Sequence, residues 1–225
     1  MCGRFTLTLD SKQIQDAFSW LGGVPAGIQP RYNIAPSQPI AVVPNDGRRR
    51  LDFYVWGLIP SWAKDPTIGS RMINARAETL AEKPSFRSAF RRRRCLILAD
   101  GFYEWKSAEG RKSKTPMFIH LKENKPFAFA GLWELWNAPD GSQIYSATII
   151  TTEPNALMAS IHNRMPVILP EAAYEQWLSP GEGDPRDLAP LLKPFSAESM
   201  QAYPISTLVN SPQNDVPQVI EPVAS

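Results

Sequence analysis

Residues 95–105 read CLILADGFYEW, two short apolar runs separated by Asp100 and Gly101. Three further runs of the same kind follow at short spacing, at residues 117–121, 127–133 and 144–151. Short apolar runs interrupted by turn residues are typical of antiparallel strands in a closed or nearly closed sheet. We therefore predict an α+β fold, a single domain of mainly antiparallel β-strands that is barrel-like and carries short peripheral helices.

The N-terminal part of the chain extends this pattern. Residues 2–7 predict an opening strand, and Asp10 or Ser11 caps a helix whose apolar residues recur at helical spacing from 14 to 21. Residues 40–43 and 51–57 predict a hairpin around an Asn-Asp-Gly turn. Further helices are predicted within 78–94, with Pro84 at the helix start, and at 155–161, 171–177 and 188–195, with a strand at 166–169.

The end of the chain differs in composition. Residues 211–225 contain three prolines and little periodicity, which predicts a C-terminal tail that is laid on the surface or disordered. No long linker interrupts the preceding residues. We therefore predict one domain over residues 1–210 and a tail over residues 211–225.

Composition excludes several classes of protein. A hydrophobic share of 43% in 225 residues is enough material for one substantial core. The two cysteines, Cys2 and Cys95, allow at most one disulfide, and no Cys-x-x-Cys spacing occurs that would predict a zinc site. We expect no metal and no cofactor, and we expect Cys95 to be a core thiol because it begins an apolar strand.

Targeting signals are absent from the sequence pattern. No run of about 18 apolar residues occurs, and residues 1–20 lack the layout of a signal peptide. We therefore expect a soluble cytoplasmic monomer with reduced thiols and no membrane contact.

Charge is segregated along the chain although the formal net charge is only +2. Residues 1–115 carry 19 Lys/Arg against 10 Asp/Glu, and residues 116–225 carry 5 against 12. The basic part includes arginine runs at 48–50 and 91–94, which can form a positive face for a phosphate backbone. Such runs are also common on solvated turns, and we interpret the run at 91–94 as a diffuse electrostatic contributor.

Polar residues inside apolar segments are candidates for chemistry, because a buried polar group needs partners or a function. Asn74, Glu104 and His162 are three such residues. Each alone has an ordinary structural interpretation: an amide that caps a turn, a strand carboxylate that points outward, an imidazole that closes a helix. His120 also lies on a predicted strand, and we assign it no catalytic role.

Together with Cys2, these residues lie in motifs that resemble one family. The motifs are Met-Cys-Gly-Arg-Phe (1–5), Tyr-Asn-Ile-Ala-Pro (32–36), Trp-Gly-Leu-Ile-Pro (56–60), Asn-Ala-Arg-Ala-Glu-Thr (74–79), Gly-Phe-Tyr-Glu-Trp (101–105) and Ile-His-Asn-Arg-Met-Pro (161–166). In this order they resemble the SRAP family of abasic-site processing proteins, which includes DNA–protein cross-linking factors. The resemblance spans residues 1–169 and is highly specific.

The resemblance implies that Cys2 becomes the N-terminal residue when Met1 is removed. It then reacts with the open-chain aldehyde of an abasic site in single-stranded DNA, a lyase-like cross-linking activity that shields the lesion during the DNA damage (SOS) response. The residue type suits this chemistry, because an α-amine with a pKa of about 7.7–8.0 is partly neutral at physiological pH and attacks an aldehyde. The neighbouring thiol then closes a stable thiazolidine, which a hydroxyl would form less readily.

Roles for the other residues follow from that product. Glu104 would orient the α-amine and move its protons, and His162 would donate to the sugar ring oxygen and act as a proton shuttle. Asn74 would hold the sugar hydroxyl or the adduct. The resemblance also implies a supporting polar contact from Thr151.

Binding of the strand requires contacts with phosphates and bases. Arg4, Arg76 and Arg164 each lie within two residues of a proposed catalytic group, so we predict that they contact DNA phosphates. Trp62 would stack on a base or, alternatively, cover an edge of the core.

Two other functions remain open at this point. Cys2 could be the nucleophile of a Cys-His peptidase that uses His162 with Glu104 or Asn74, including cleavage of its own Met1–Cys2 bond, although an ordinary aminopeptidase would also remove Met1. The protein could also be a non-catalytic single-stranded DNA-binding β-barrel. Reversal of the cross-link by His162 or Glu104 is a further expectation.

Overall fold

Strands dominate the computed structural model, which describes residues 2–107, 110 and 113–223. The strands are β1 (Phe5–Leu7), β2 (Arg31–Ile34), β3 (Pro39–Pro44), β4 (Asp52–Trp56), β5 (Asn74–Arg76), β6 (Arg94–Ala99), β7 (Gly101–Lys106), β8 (Thr115–Leu121), β9 (Phe127–Asn137), β10 (Gln143–Thr152), β11 (Met165–Pro166), β12 (Ile168–Leu169) and β13 (Met200–Pro204). The α-helices are α1 (Ser11–Ala17), α2 (Arg87–Arg92), α3 (Ala156–Ala159), α4 (Tyr174–Trp177) and α5 (Pro185–Leu188). The chain therefore forms a mainly β fold with short helices, as predicted.

A closed barrel forms the centre of the fold. Strands β10, β4, β3, β6 and β9 pair in that order, and the pairing of β9 with β10 closes the ring. All of these pairings are antiparallel except that of β10 with β4. The five runs predicted between residues 96 and 151 are all strands, and closure of the ring that contains three of them, β6, β9 and β10, confirms the barrel-like interpretation.

A second sheet packs on the barrel and positions the N-terminus. Its strand order is β13-β8-β7-β1-β2. Phe5 of β1 is fully buried, and its ring lies 5.1 Å from that of Trp56 and 5.7 Å from that of Phe129, both in barrel strands. Burial of a phenylalanine side chain contributes about 1.5–3 kcal/mol to the stability of the fold. The packing of Phe5 therefore attaches β1, and with it the N-terminal segment, to the barrel.

The Asp100-Gly101 break between β6 and β7 has a definite structural role. The Asp100 carboxylate accepts hydrogen bonds from the hydroxyls of Thr6 and Thr8, which ties β1 to this corner. A Cβ atom on Gly101 would lie only 2.3 Å from the Phe118 ring, so glycine permits the close approach of β7 and β8. The corner redirects the chain from the barrel into the second sheet.

The predicted helices are confirmed in part. Asp10 caps α1 in a capping box with Gln13, as expected, although the helix ends at Ala17. The prediction that Pro84 begins a helix is wrong, because residues 84–86 form turns and α2 begins only at Arg87.

The helix predicted at 188–195 is also wrong. Asp184 caps α5 and Pro185 begins it, and α5 is followed by a 3₁₀ turn at Ala189–Leu191. Pro190 and Pro194 have no backbone N–H to continue a helix through the rest of the predicted range.

The four arginines at 91–94 have different surroundings, so the interpretation of the whole run as a diffuse electrostatic contributor is wrong for Arg94. Arg91 and Arg92 pair with Glu182 at the surface, whereas Arg93 pairs with Glu134, which is buried. Arg94 is only 1% exposed, and its guanidinium donates to backbone carbonyls of Phe90, Arg91, Trp177 and Ser179. Arg94 therefore holds α2 and α4 against the barrel rather than contributing surface charge.

The C-terminal segment lies against the second sheet through residue 223. Asp215 accepts hydrogen bonds from Arg31 and from the N–H groups of Tyr32 and Asn33, and Val219 is fully buried. Of the two alternatives for this segment, the described residues 211–223 adopt the packed one. The domain boundary at residue 210 stays a prediction.

The described residues contain neither a membrane-spanning helix nor a cluster of metal ligands. None of the helices there combines the length and apolarity needed to cross a bilayer. No three His, Cys, Asp or Glu side chains in the same residues are grouped as metal ligands.

Candidate active site

Cys2 lies in a buried position where β1 begins, at the junction of the two sheets. Its side chain is fully buried, and its carbonyl oxygen accepts a hydrogen bond of 2.8 Å from Asn74 Nδ2. Its Sγ lies 3.9 Å from the Arg4 carbonyl, which also accepts from the N–H of Tyr103 in β7. The backbone around Cys2 is therefore held by two different strands.

Asn74 reaches Cys2 because β5 runs parallel to β10, with Asn74 opposite Ile149. The amide nitrogen of Asn74 donates its hydrogen bond to the Cys2 carbonyl oxygen. Its Oδ1 is buried and has no hydrogen-bond partner among the described residues. A buried acceptor without a partner is costly, so this oxygen is suited to receive a donor from a ligand.

Glu104 and His162 lie close to each other near Cys2. Glu104 lies on β7 and its side chain is 3% exposed, and His162 Nε2 lies 4.0 Å from Glu104 Oε2. His162 Nδ1 accepts a hydrogen bond of 3.1 Å from the N–H of Arg164. In the neutral imidazole the proton must then be on Nε2, the atom that faces Glu104.

The electrostatics of the pocket keep the Cys2 thiol protonated. Burial raises the pKa of the Cys2 thiol far above its ordinary value, and the nearby Glu104 carboxylate raises it further. The Glu104 carboxylate is therefore close enough to the Cys2 thiol to act on it electrostatically. This environment disfavours a free thiolate.

Arg164 is fixed by the residues around it. Its Nη1 and Nη2 donate to the two carboxylate oxygens of Glu78 at 2.7 and 3.0 Å, and Nη2 also donates to the Thr151 carbonyl at 2.6 Å. The hydrogen bonding from Arg164 to Glu78 lowers the pKa of the Glu78 carboxyl group. Thr151 is fully buried, so its side chain lies behind Arg164 rather than at the surface.

Arg4 also has partners within the protein. Its Nη1 donates to Asn33 Oδ1 and to the Val209 carbonyl, both at 2.8 Å, and its guanidinium lies 5.9 Å from the centre of the Trp105 ring. Asn33 is fully buried, and its amide nitrogen donates to the carbonyls of Val209, Ser211 and Asn214. We did not single out Asn33 from the sequence, although a polar residue inside the Tyr-Asn-Ile-Ala-Pro motif was the available signal.

The two remaining predicted residues, Arg76 and Trp62, are exposed. Arg76 is exposed at the end of β5, two residues from Asn74. Trp62 is 59% exposed and lines a groove of about 440 Å³ with Lys64 and Arg71. Such exposure fits a stacking surface better than a cover over the core.

Two further residues behave as the sequence indicated. Cys95 is fully buried in the core, and burial raises the pKa of its thiol well above the ordinary value. The His120 ring stacks on Phe118 at 5.3 Å, and its Nε2 lies 3.0 Å from the side-chain nitrogen of Gln201, away from Cys2. Neither residue belongs to the candidate site.

Fold and site together define a class: a closed-barrel protein with a cysteine at its second position, buried beside an amide and a carboxylate–imidazole pair. The sequence model of the family described as SOS response associated peptidase (SRAP) matches residues 1–212, and the chain belongs to this family.

Similar proteins cover nearly all of the chain. It is 53% identical over 223 residues to the abasic site processing protein YoqW of Bacillus subtilis, with 98% of this chain and 99% of that protein aligned. It is 31% identical over 262 residues to the abasic site processing protein HMCES of Xenopus tropicalis, with 97% of this chain and 77% of that protein aligned. A crystal structure of a Bacteroides thetaiotaomicron protein matches with a TM-score of 0.87 at 29% identity, covering 99% of this chain and 100% of the other.

Proposed function

We propose that this protein processes abasic sites in single-stranded DNA by forming a covalent thiazolidine between Cys2, once Met1 is removed, and the aldehyde of the open sugar. The observation that carries the proposal is the grouping around Cys2: Asn74 donates to its carbonyl oxygen, Glu104 acts on its thiol, and His162 lies 4.0 Å from Glu104. The names of the relatives YoqW and HMCES support the same substrate.

The reaction begins at nitrogen. The α-amine of Cys2 attacks the aldehyde carbon, and the addition product loses its oxygen as water to give an imine. The thiol then adds across the carbon–nitrogen double bond: sulfur bonds to carbon, the thiol proton passes to nitrogen, and a five-membered ring closes. The raised pKa of the thiol fits this order, because the thiol keeps its proton until the imine has formed.

Proton transfer in this scheme falls to Glu104 and His162. Glu104 would accept a proton from the attacking amine, and His162 would donate from Nε2 to the departing oxygen. The buried Oδ1 of Asn74 would accept a hydrogen bond from the sugar hydroxyl. Because these steps are reversible, the same pair would also reopen the ring and release the protein.

DNA would enter past the exposed cations and the exposed indole. Arg76 is exposed at the end of β5, two residues from Asn74, and Trp62 presents a ring on which a base could stack. Arg164 would contact a phosphate beside His162. Arg4 Nη1 is engaged by Asn33 and Val209, so one contribution of Arg4 is to hold the chain segment next to Cys2.

The experiment is cross-linking to a single-stranded oligonucleotide from which a uracil base has been excised. Wild-type protein and Cys95→Ala are expected to form an adduct that survives denaturation, and Cys2→Ala is expected to form none. Intact mass should show the adduct on the chain without Met1. An adduct of unchanged yield with Cys2→Ala, or with an uncleavable tag ahead of Cys2, would contradict the mechanism.

Self-processing of the Met1–Cys2 bond is a second candidate, favoured by the position of Glu104 and His162 beside Cys2 and by the peptidase description of the family. In that reaction water would be added across the peptide bond. Intact mass of Glu104→Gln and His162→Gln tests it: Met1 retained only in these variants supports self-processing, and complete removal assigns the step to an aminopeptidase. Location in the cytoplasm and a monomeric state belong to the same proposal.

A further inference from the structure

Glu78 makes a bidentate contact with Arg164, an arginine proposed to bind DNA. Its carboxylate meets Arg164 through two parallel hydrogen bonds of 2.7 and 3.0 Å. A phosphate oxygen pair meets an arginine fork in the same bidentate geometry. The carboxylate therefore lies where a DNA phosphate would lie.

The two partners differ in their freedom to move. The Arg164 side chain is only 15% exposed, whereas that of Glu78 is 50% exposed. Arg164 Nη2 also donates to the Thr151 carbonyl at 2.6 Å, so the guanidinium stays in place when Glu78 moves away. Glu78 is thus the replaceable partner, and Arg164 is the fixed one.

The position of this pair connects it to the chemistry. The N–H of Arg164 holds His162 Nδ1, and Glu78 follows Asn74 and Arg76 by a few residues. A phosphate at this point would be next to the proposed general acid. A phosphate that approaches while Glu78 is in place would instead meet a second negative charge.

We propose that Glu78 is an internal substitute for a DNA phosphate, which occupies Arg164 in the free protein and must be displaced when a strand binds. The inference rests on the proposed function. Displacement weakens the binding of every strand by a constant factor, so undamaged DNA that gains nothing from the Cys2 pocket dissociates readily. Glu78 is accordingly a residue that sets the affinity for every strand, and not a catalytic residue.

The test compares Glu78→Gln with Glu82→Gln, an exposed glutamate four residues later that gives the same change in net charge. Both changes are made in a Cys2→Ala background, and the affinity for an undamaged single-stranded oligonucleotide is measured by fluorescence anisotropy. Exposed ion pairs of this kind correspond to an affinity change of roughly two- to five-fold. Glu78→Gln is expected to tighten binding by about that factor relative to Glu82→Gln.

A second comparison separates displacement from a general charge effect. In an Arg164→Gln background no fork remains to be released, so the advantage of Glu78→Gln over Glu82→Gln should disappear. With Cys2 intact, Glu78→Gln should lower the concentration of abasic DNA that gives half-maximal cross-linking rate and leave the maximal rate unchanged.

The role of Glu78 and the proposed function fail in different experiments. Equal affinities for the two glutamine variants, or weaker binding by Glu78→Gln, would overturn the inference, and so would an advantage that persists without Arg164. Failure of the wild-type protein to cross-link abasic DNA would instead overturn the proposed function. Wild-type cross-linking with no effect of Glu78→Gln would remove only the role given to Glu78.

Discussion

Replacement of Asp215 by alanine is expected to loosen both ends of the chain at once. The Asp215 carboxylate accepts from Arg31 Nε and from the N–H groups of Tyr32 and Asn33. The side chain of Asn33 in turn binds Arg4, two residues from Cys2. The C-terminal segment is therefore connected to the proposed nucleophile through one strand, β2.

The magnitude follows from the burial of these donors. Asn33 is fully buried, so its N–H would lose an acceptor that water cannot easily replace, at a cost of roughly 1–3 kcal/mol. Tyr32 is half-buried and would recover part of its loss from solvent. The Arg31 side chain is 33% exposed, so its ion pair adds at most about 1 kcal/mol. Together these losses amount to about 2–4 kcal/mol of unfolding free energy.

Urea denaturation measures this loss directly. With a slope of about 1–3 kcal/mol per molar urea, the midpoint of Asp215→Ala should fall by on the order of 1 M. Glu221→Ala, which removes an exposed carboxylate from the same segment, should leave the midpoint unchanged. Truncation after residue 210 should cost at least as much as Asp215→Ala, because it also removes the buried Val219. A free energy of Asp215→Ala within 0.5 kcal/mol of wild type, on the scale of ordinary surface changes, would refute the reasoning.

Three other outcomes are expected. Gly101→Ala should destabilise the fold by roughly 1–3 kcal/mol, because its Cβ would lie 2.3 Å from the Phe118 ring. Gly23→Ala is the control in thermal unfolding, because the nearest neighbour of its Cβ is 4.0 Å away. Equal melting temperatures of the two variants would contradict this account. His162→Gln should slow cross-linking by roughly 10²–10⁴-fold, the size expected for loss of a general acid–base residue, and should leave the affinity for undamaged DNA unchanged. An unchanged rate of cross-linking would remove the acid–base role. Burial raises the pKa of the Cys2 thiol, so a chain that retains Met1 should be alkylated at pH 8 much more slowly when folded than when unfolded in urea. The rate of alkylation should increase as the pH rises, and intact mass follows the reaction. Equally fast labelling of the folded chain would argue against a buried thiol.

The secondary structure was largely predictable because strand patterns are local. The runs from residue 95 to residue 151 became β6 to β10, and Asp10 capped α1 as its side chain suggested. The helix around Pro84 is misplaced because a favourable first residue does not show where apolar packing begins, and packing starts here with Phe86, directly before the first helical residue Arg87.

The residues of the candidate site were recognisable, but their partners were not. Asn74, Glu104 and His162 interrupt apolar segments, and such interruptions are visible in any single sequence. Whether an arginine faces DNA or a protein carbonyl depends on what the folded chain brings to it. Arg94, which looked like surface charge, is buried on four carbonyls, and Arg164 is held by Glu78.

Local order along the chain was enough to predict a barrel-like β domain and to single out Cys2, since apolar periodicity and an N-terminal cysteine are properties of neighbouring residues. Contacts across long sequence separations required the tertiary structure. The amide of Asn74 meets Cys2, and Asp215 meets β2, only because closure of the barrel and packing of the second sheet bring distant segments within hydrogen-bond distance. Hydrogen bonds act over about 3 Å, so no pattern of residue types can specify them before the path of the chain is known.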